Sequence, residues 1–198
     1  MNTFSHGIWV YFFVRRRRLA KPAVLGAIFP DLLYSIPLIF YTAKTQIWRI
    51  DFLRKFLLVP FKGWDGAFSE IEIKQIHNTL TRLFVLPPVH YTRLITHSYI
   101  IWGIVMLFAW YLGKKWLIAF NWGWLTHIFI DMLTHVDDAI PYFYPVWNRI
   151  IRGVVSYWNP EYYGTYFATA NYLIIMVMIL VMIREWWGRR KRGMDMRD

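Results

Sequence analysis

Four long apolar runs constrain this chain more than anything else in it: 22–41 (PAVLGAIFPDLLYSIPLIFY), 95–112 (ITHSYIIWGIVMLFAWYL), 115–133 (KWLIAFNWGWLTHIFIDML) and 168–187 (ATANYLIIMVMILVMIREWW). A helix crosses a hydrocarbon core with about 20 such residues, and it satisfies its own backbone polar groups there. The expected fold is all-α: a polytopic membrane helical bundle with about four transmembrane helices plus interfacial helices, in a single domain over 1–198. Composition agrees, because 57% hydrophobic and 20% aromatic residues are wrong for a soluble domain. The opening GIWVYFFV is too short to span and lacks the cleavage site of a secretory signal, so it is expected as a half-inserted segment.

The net charge of +11 raises nucleic acid as a partner, but the positions of the charges argue against it. RRRR at 15–18 precedes the first run, KK at 114–115 separates the second from the third, and RRKR at 189–192 follows the fourth. If the four spans alternate, all three clusters lie on one side, as the positive-inside rule requires. The expectation is an integral protein of the cell (inner) membrane with both termini cytoplasmic, touching membrane lipid and no nucleic acid. There is no cysteine, so any metal must be held by nitrogen and oxygen ligands.

Two long connections, 42–94 and 136–167, then fall outside. In the first, Ile47, Ile50, Leu53 and Leu57 recur at helical spacing among Arg49, Arg54 and Lys55, which suits a helix lying in the headgroup plane. This connection also carries Lys44, Lys62, Lys74, Arg82 and Arg93, though long loops count little in the charge rule. Ser69 ahead of two glutamates marks a further helix start, and that helix ends before Pro87 and Pro88. His77, on its amphipathic face, and His90, after the prolines, are expected as packing or surface residues. The second connection is dense in tyrosine and tryptophan, which fits a cap at the membrane-water interface.

An ionisable side chain inside a span is costly and therefore a functional candidate. Asp31 sits in the middle of the first run beside Pro30, which invites a kink, and His97 lies at the start of the second. His127 and Asp131 lie in the third, with His135 one turn further on. Residues four apart advance only about 40° around a helix, so these last three lean from one side. With alternating spans, the five side chains converge in the outer half of the bundle; His6 joins them only if the opening segment folds in. Two imidazoles and two carboxylates suit a divalent metal, zinc and also manganese or iron. The alternative is a metal-free Asp–His hydrogen-bond network between helices.

The motifs GAIFPD, TRLITHS and GWLTHIFIDMLTH together resemble the membrane-bound metal-dependent hydrolase family of bacteria and archaea, which is distantly similar to zinc-dependent phospholipase C. That family shows an early histidine, a PDxD motif, an HRGxTHS motif and an HxxxDxxT motif followed by a WP-like element. Here they are matched by His6, by Pro30 and Asp31, by Arg93 with Thr96, His97 and Ser98, by His127, Asp131 and Thr134, and by YFYPVW. Leu33 replaces the second aspartate of PDxD, Thr92 the first histidine of HRGxTHS and Leu94 its glycine; His90 and His135 are possible substitutes. The resemblance implies a metal-dependent hydrolase.

The expected activity is zinc-type hydrolysis of a phosphodiester or ester in a lipid or headgroup at the outer interface. Asp31, His97, His127, Asp131 and His6 are the candidate metal ligands. Asp131 and His135 are the candidate catalytic residues, His135 as a further ligand or as general acid for the leaving group. Arg149 and Arg152 are candidates to pair with phosphate. Two alternatives stand beside this: an intramembrane metal or proton transporter, and a structural membrane protein with a vestigial site. The transporter requires polar groups continuing to the cytoplasmic side, where NYLIIMVMILVM offers none.

Overall fold

The computed structural model describes residues 2–43 and 50–191, and among these the chain is helical with no β-strand. In order the helices are α1 (Thr3–Val14), α2 (Ala20–Thr42), α3 (Ile50–Phe56), α4 (Val59–Ala67), α5 (Glu70–Phe84), α6 (Pro87–Thr96), α7 (Tyr99–Tyr111), α8 (Lys115–Thr134) and α9 (Gly164–Lys191). Lys44, Ile47, Arg49 and Arg192, which enter the expectations above, lie outside the described residues.

Two helices are long and apolar enough to cross a membrane, Ala20–Thr42 and the stretch Gly164–Arg190 of α9. A third crossing is reached if α6 and α7, bent by 55° across a short break, are counted together. The third run forms α8 as one 20-residue helix, but Lys115, Asn121, His127 and Asp131 dilute its apolarity. The break explains the bent pair. His97 leaves the α-region with φ −107° and ψ 14°, and Ser98 restarts the helix by accepting from the backbone N–H groups of Ile100 and Ile101.

Helices α2 and α8 pack closely and run parallel in register. A Cβ on Gly26 would sit 1.8 Å from the carbonyl oxygen of Phe120, and one on Gly123 would sit 1.8 Å from that of Ala23. Only glycine permits this approach, in the manner of small-residue crossings between membrane helices. One turn further along, Ala27 meets His127, and one turn beyond that Asp31 meets Asp131.

The opening segment is not left at the surface. Helix α1 packs on α2, α8 and α9, and polar groups hold it to α9. Trp9 Nε1 donates to Asn171 Oδ1 at 2.9 Å, Asn171 Nδ2 donates to Ser5 Oγ at 3.0 Å, and Arg15 makes a two-pronged bond to Glu185. These contacts put the Arg15–Arg18 turn at the same end as the C-terminal turn of α9. Since α2 and α8 run in parallel, Lys114 and Lys115 fall toward that end as well.

The second connection is threaded into the bundle as well as covering it. Gly153, Val154 and Tyr157 donate their backbone N–H groups to His135, Leu133 and Thr134, satisfying carbonyls that the end of α8 leaves open. Ser98 Oγ donates to the Tyr144 carbonyl, and Tyr99 N donates to that of Tyr142 at 2.8 Å. Tyr142, 1% exposed, joins Leu94, Trp124, Ile128 and Ile140 in the main apolar core. Ser69 and Glu72 form a full capping box at the start of α5, which ends at Phe84, before the prolines.

Candidate metal centre

Asp31, His97, His127 and Asp131, from α2, the α6–α7 break and α8, bring one ligand atom each to within 4.8 Å of one another, and all four side chains are buried. The contacts fill in the shape. His127 Nε2 lies 3.1 Å from Asp131 Oδ2, 3.5 Å from Asp31 Oδ1 and 3.2 Å from His97 Nε2. His97 Nε2 lies 3.4 Å from Asp131 Oδ2 and 3.8 Å from Asp31 Oδ1. Zinc bonds to imidazole and carboxylate run about 2.0–2.2 Å, so the edges of a tetrahedral donor set measure about 3.3–3.6 Å. The five separations straddle that range, and they run between the same four atoms.

The outward nitrogens of the two imidazoles fix their chemistry. His127 Nδ1 is 2.7 Å from the Ala27 carbonyl, and His97 Nδ1 is 3.0 Å from the Arg93 carbonyl. A carbonyl only accepts, so His127 Nδ1 carries its proton. His97 Nδ1 is also 3.0 Å from Thr96 Oγ1, whose own proton goes to the Thr92 carbonyl at 2.9 Å, so it donates as well, and a neutral ring then aims the Nε2 lone pair inward. Two lone pairs therefore face each other at 3.2 Å, beside two carboxylates that also only accept. Such a set needs a cation or additional protons at its centre. Backbone carbonyls holding the far nitrogen are the usual outer shell of metal-bound histidine. The four residues fit a divalent ion.

His6 is brought to the site but stands outside this donor set. Its Nε2 is 2.9 Å from Asp131 Oδ1, the oxygen turned away from the two histidines, and its ring stacks on His127 with centroids 3.9 Å apart. His6 Nδ1 is buried without a hydrogen-bond partner. His135 is placed on the other flank of Asp131. Its Nδ1 lies 2.9 Å from the Asp131 carbonyl oxygen and 3.8 Å from Oδ1, while its Nε2 lies 3.5 Å from Asp138 Oδ2. Asp138 in turn receives Arg93, whose Nη2 donates to its carbonyl at 2.6 Å.

Sequence reasoning gave Asp138 no place in the site and kept Arg93 only as part of a motif. The signal for Asp138 was its spacing of three from His135. Arg149 and Arg152 are exposed on the second connection. His90 is exposed, and His77 stacks on Trp158 at 5.3 Å, in keeping with packing and surface roles.

Compared with family models, with curated proteins and with solved structures, the chain matches none.

Proposed function

We propose that this protein is a metal-dependent hydrolase of the membrane interface, acting on a phosphodiester or ester bond in a lipid or its headgroup. The observation that carries the proposal is the pair of inward Nε2 atoms of His97 and His127, 3.2 Å apart with both Nδ1 atoms on carbonyls. Asp31, His97, His127 and Asp131 hold the ion, which supplies Lewis acidity to the bond under attack. Zinc is the favoured ion, since imidazole and carboxylate without thiolate is the mixture used in catalytic zinc sites, whereas structural sites rely largely on cysteine. His6 orients Asp131 through Oδ1, and His135, held between Asp131 and Asp138, moves a proton to the leaving group. The resemblance to membrane-bound metal-dependent hydrolases supports the same activity.

We place the bundle in the inner membrane with about four crossings and both termini cytoplasmic. The support is the collection of Arg15–Arg18, Lys114–Lys115 and Arg189–Arg190 toward one end, away from the cluster.

A second reading is favoured by one observation. Four buried protein donors already complete a tetrahedron, as in a structural site, so the ion would then staple α2, α8 and the α6–α7 break without turnover. Detergent-purified protein separates the two readings. Metal content by mass spectrometry and hydrolysis of a panel of phospholipids and esters are measured for the native chain and Asp131→Asn. The hydrolase requires metal and turnover to vanish together. Metal present with no turnover across the panel selects the staple, and equal metal in both proteins overturns the metal site itself.

A further inference from the structure

At the end of the bundle away from the four-residue cluster, the end of α1 and the α1–α2 turn form an open recess of about 440 Å³, lined by Phe13, Arg15, Arg16 and Arg17. Its charges are arranged by one carboxylate. Glu185 accepts from Arg15 Nε at 3.2 Å and Nη2 at 2.7 Å, and from Arg16 Nη2 at 2.9 Å. Arg15 is further fixed by the Phe12 carbonyl and by the Phe12 ring, 4.2 Å from its guanidinium carbon. Arg15 is thereby a rigid wall, 16% exposed, while Arg16 remains 65% exposed. Among the described residues neither Arg17 nor Arg18 has a carboxylate partner. Lys21, Arg189 and Arg190 add charge around them, so Glu185 leaves the site strongly positive.

Arg16, 65% exposed and sharing Glu185 with Arg15, and Arg17, without a carboxylate partner among the described residues, leave excess guanidinium charge that calls for a phosphate, which the Arg fork matches geometrically. The surroundings select the bearer of that phosphate. Phe13, 70% exposed, lies in the same recess, and both α2 and α9 present apolar faces immediately beyond it. A nucleic-acid backbone has no use for an apolar wall on a membrane helix, whereas a lipid brings a charged head and apolar chains together.

We infer that this recess binds the phosphate of an anionic phospholipid headgroup, with Arg16 and Arg17 pairing with its oxygens and an acyl chain lying beside Phe13. The site is independent of the metal cluster and needs no ion there.

The test is binding of fluorescent phosphatidylglycerol to the full chain in zwitterionic detergent. Each arginine beside an anionic lipid contributes about a five-fold factor, so Arg16→Gln with Arg17→Gln weakens binding about thirty-fold. Arg17→Gln alone, which disturbs no contact within the fold, weakens it about five-fold and serves if the double variant does not fold. The pair Lys74→Gln with Arg82→Gln, exposed on α5, leaves affinity unchanged. Equal affinity for native and Arg17→Gln protein, or an equal loss in the α5 pair, overturns the site. Millimolar inorganic phosphate displacing the lipid completely overturns the lipid assignment in favour of a free-phosphate site.

Discussion

His127 donates its Nδ1 proton to the carbonyl oxygen of Ala27 at 2.7 Å, so the crossing of α2 and α8 and the aim of an imidazole of the candidate metal centre are one contact. Whatever separates the two helices also turns His127 out of the site.

Gly123→Ala tests this coupling. Its new Cβ meets the Ala23 carbonyl at 1.8 Å, and backbone cannot yield as a side-chain tip can. Overpacking of this kind costs about 1–3 kcal/mol, and the upper end is expected here. Metal content should fall with stability, although residue 123 touches no donor atom. Gly103→Ala is the control, since nothing lies within 4 Å of its added carbon. It should leave metal unchanged and stabilise α7 by about 0.5–1 kcal/mol. Denaturant titration in detergent and metal analysis read both.

For His6 the predicted effect is graded. It bonds the outer oxygen of Asp131, so His6→Ala should weaken metal affinity about 10–100-fold without abolishing binding. Gln at this position keeps an N–H donor and should recover part of the loss. Competition with a chelator of known affinity measures it. Complete metal loss in His6→Ala would make His6 a direct ligand.

Ser98 fixes the break that presents His97. Its hydroxyl caps α7 and donates to the Tyr144 carbonyl, at a fully buried position. Ser98→Ala should cost about 1–2 kcal/mol for the lost cap, and the stranded Tyr144 carbonyl adds to it. The same substitution should loosen the second connection, read as faster amide exchange around 142–147.

The acid limit of the α3–α5 unit rests on Glu72. Its hydrogen bond to Lys55, helped by the Ser69 cap, holds its carboxyl down at about 2 from an ordinary value of 4.5. The stabilisation is complete above pH 4.5 and is lost as pH falls from there through about 2. Amide exchange at the first turn of α5 should rise across that window, and Glu72→Gln should remove the pH dependence.

The four residues of the candidate metal centre were legible because each is a charged or imidazole group in an apolar run. The four-residue spacing of His127 and Asp131 gave their shared face, and Ser69 with Glu72 gave the start of α5. The role of His6 was open, since twelve residues of α1 cannot span alone and their docking depends on Asn171 and Glu185, far along the chain. Glycines at 26 and 123 carried no pattern that paired them, because a backbone crossing is a property of two helices. The four-span expectation also met a limit. Residues 95–112 do not form one rod: the Ser98 cap signal sits inside the run, and local hydrogen bonding wins over continuous apolarity.

Because α2 and α8 run parallel, the chain must travel back before it can complete their pairing, and α3 to α7 make that return. Asp31 is synthesised a hundred residues before Asp131. During that interval a carboxylate stands in the middle of an apolar helix with none of its eventual neighbours, a position that is costly in lipid. The four-residue cluster thus closes late in the life of the nascent chain. Its closure marks the moment when the Asp31 carboxylate of α2 first meets its polar neighbours.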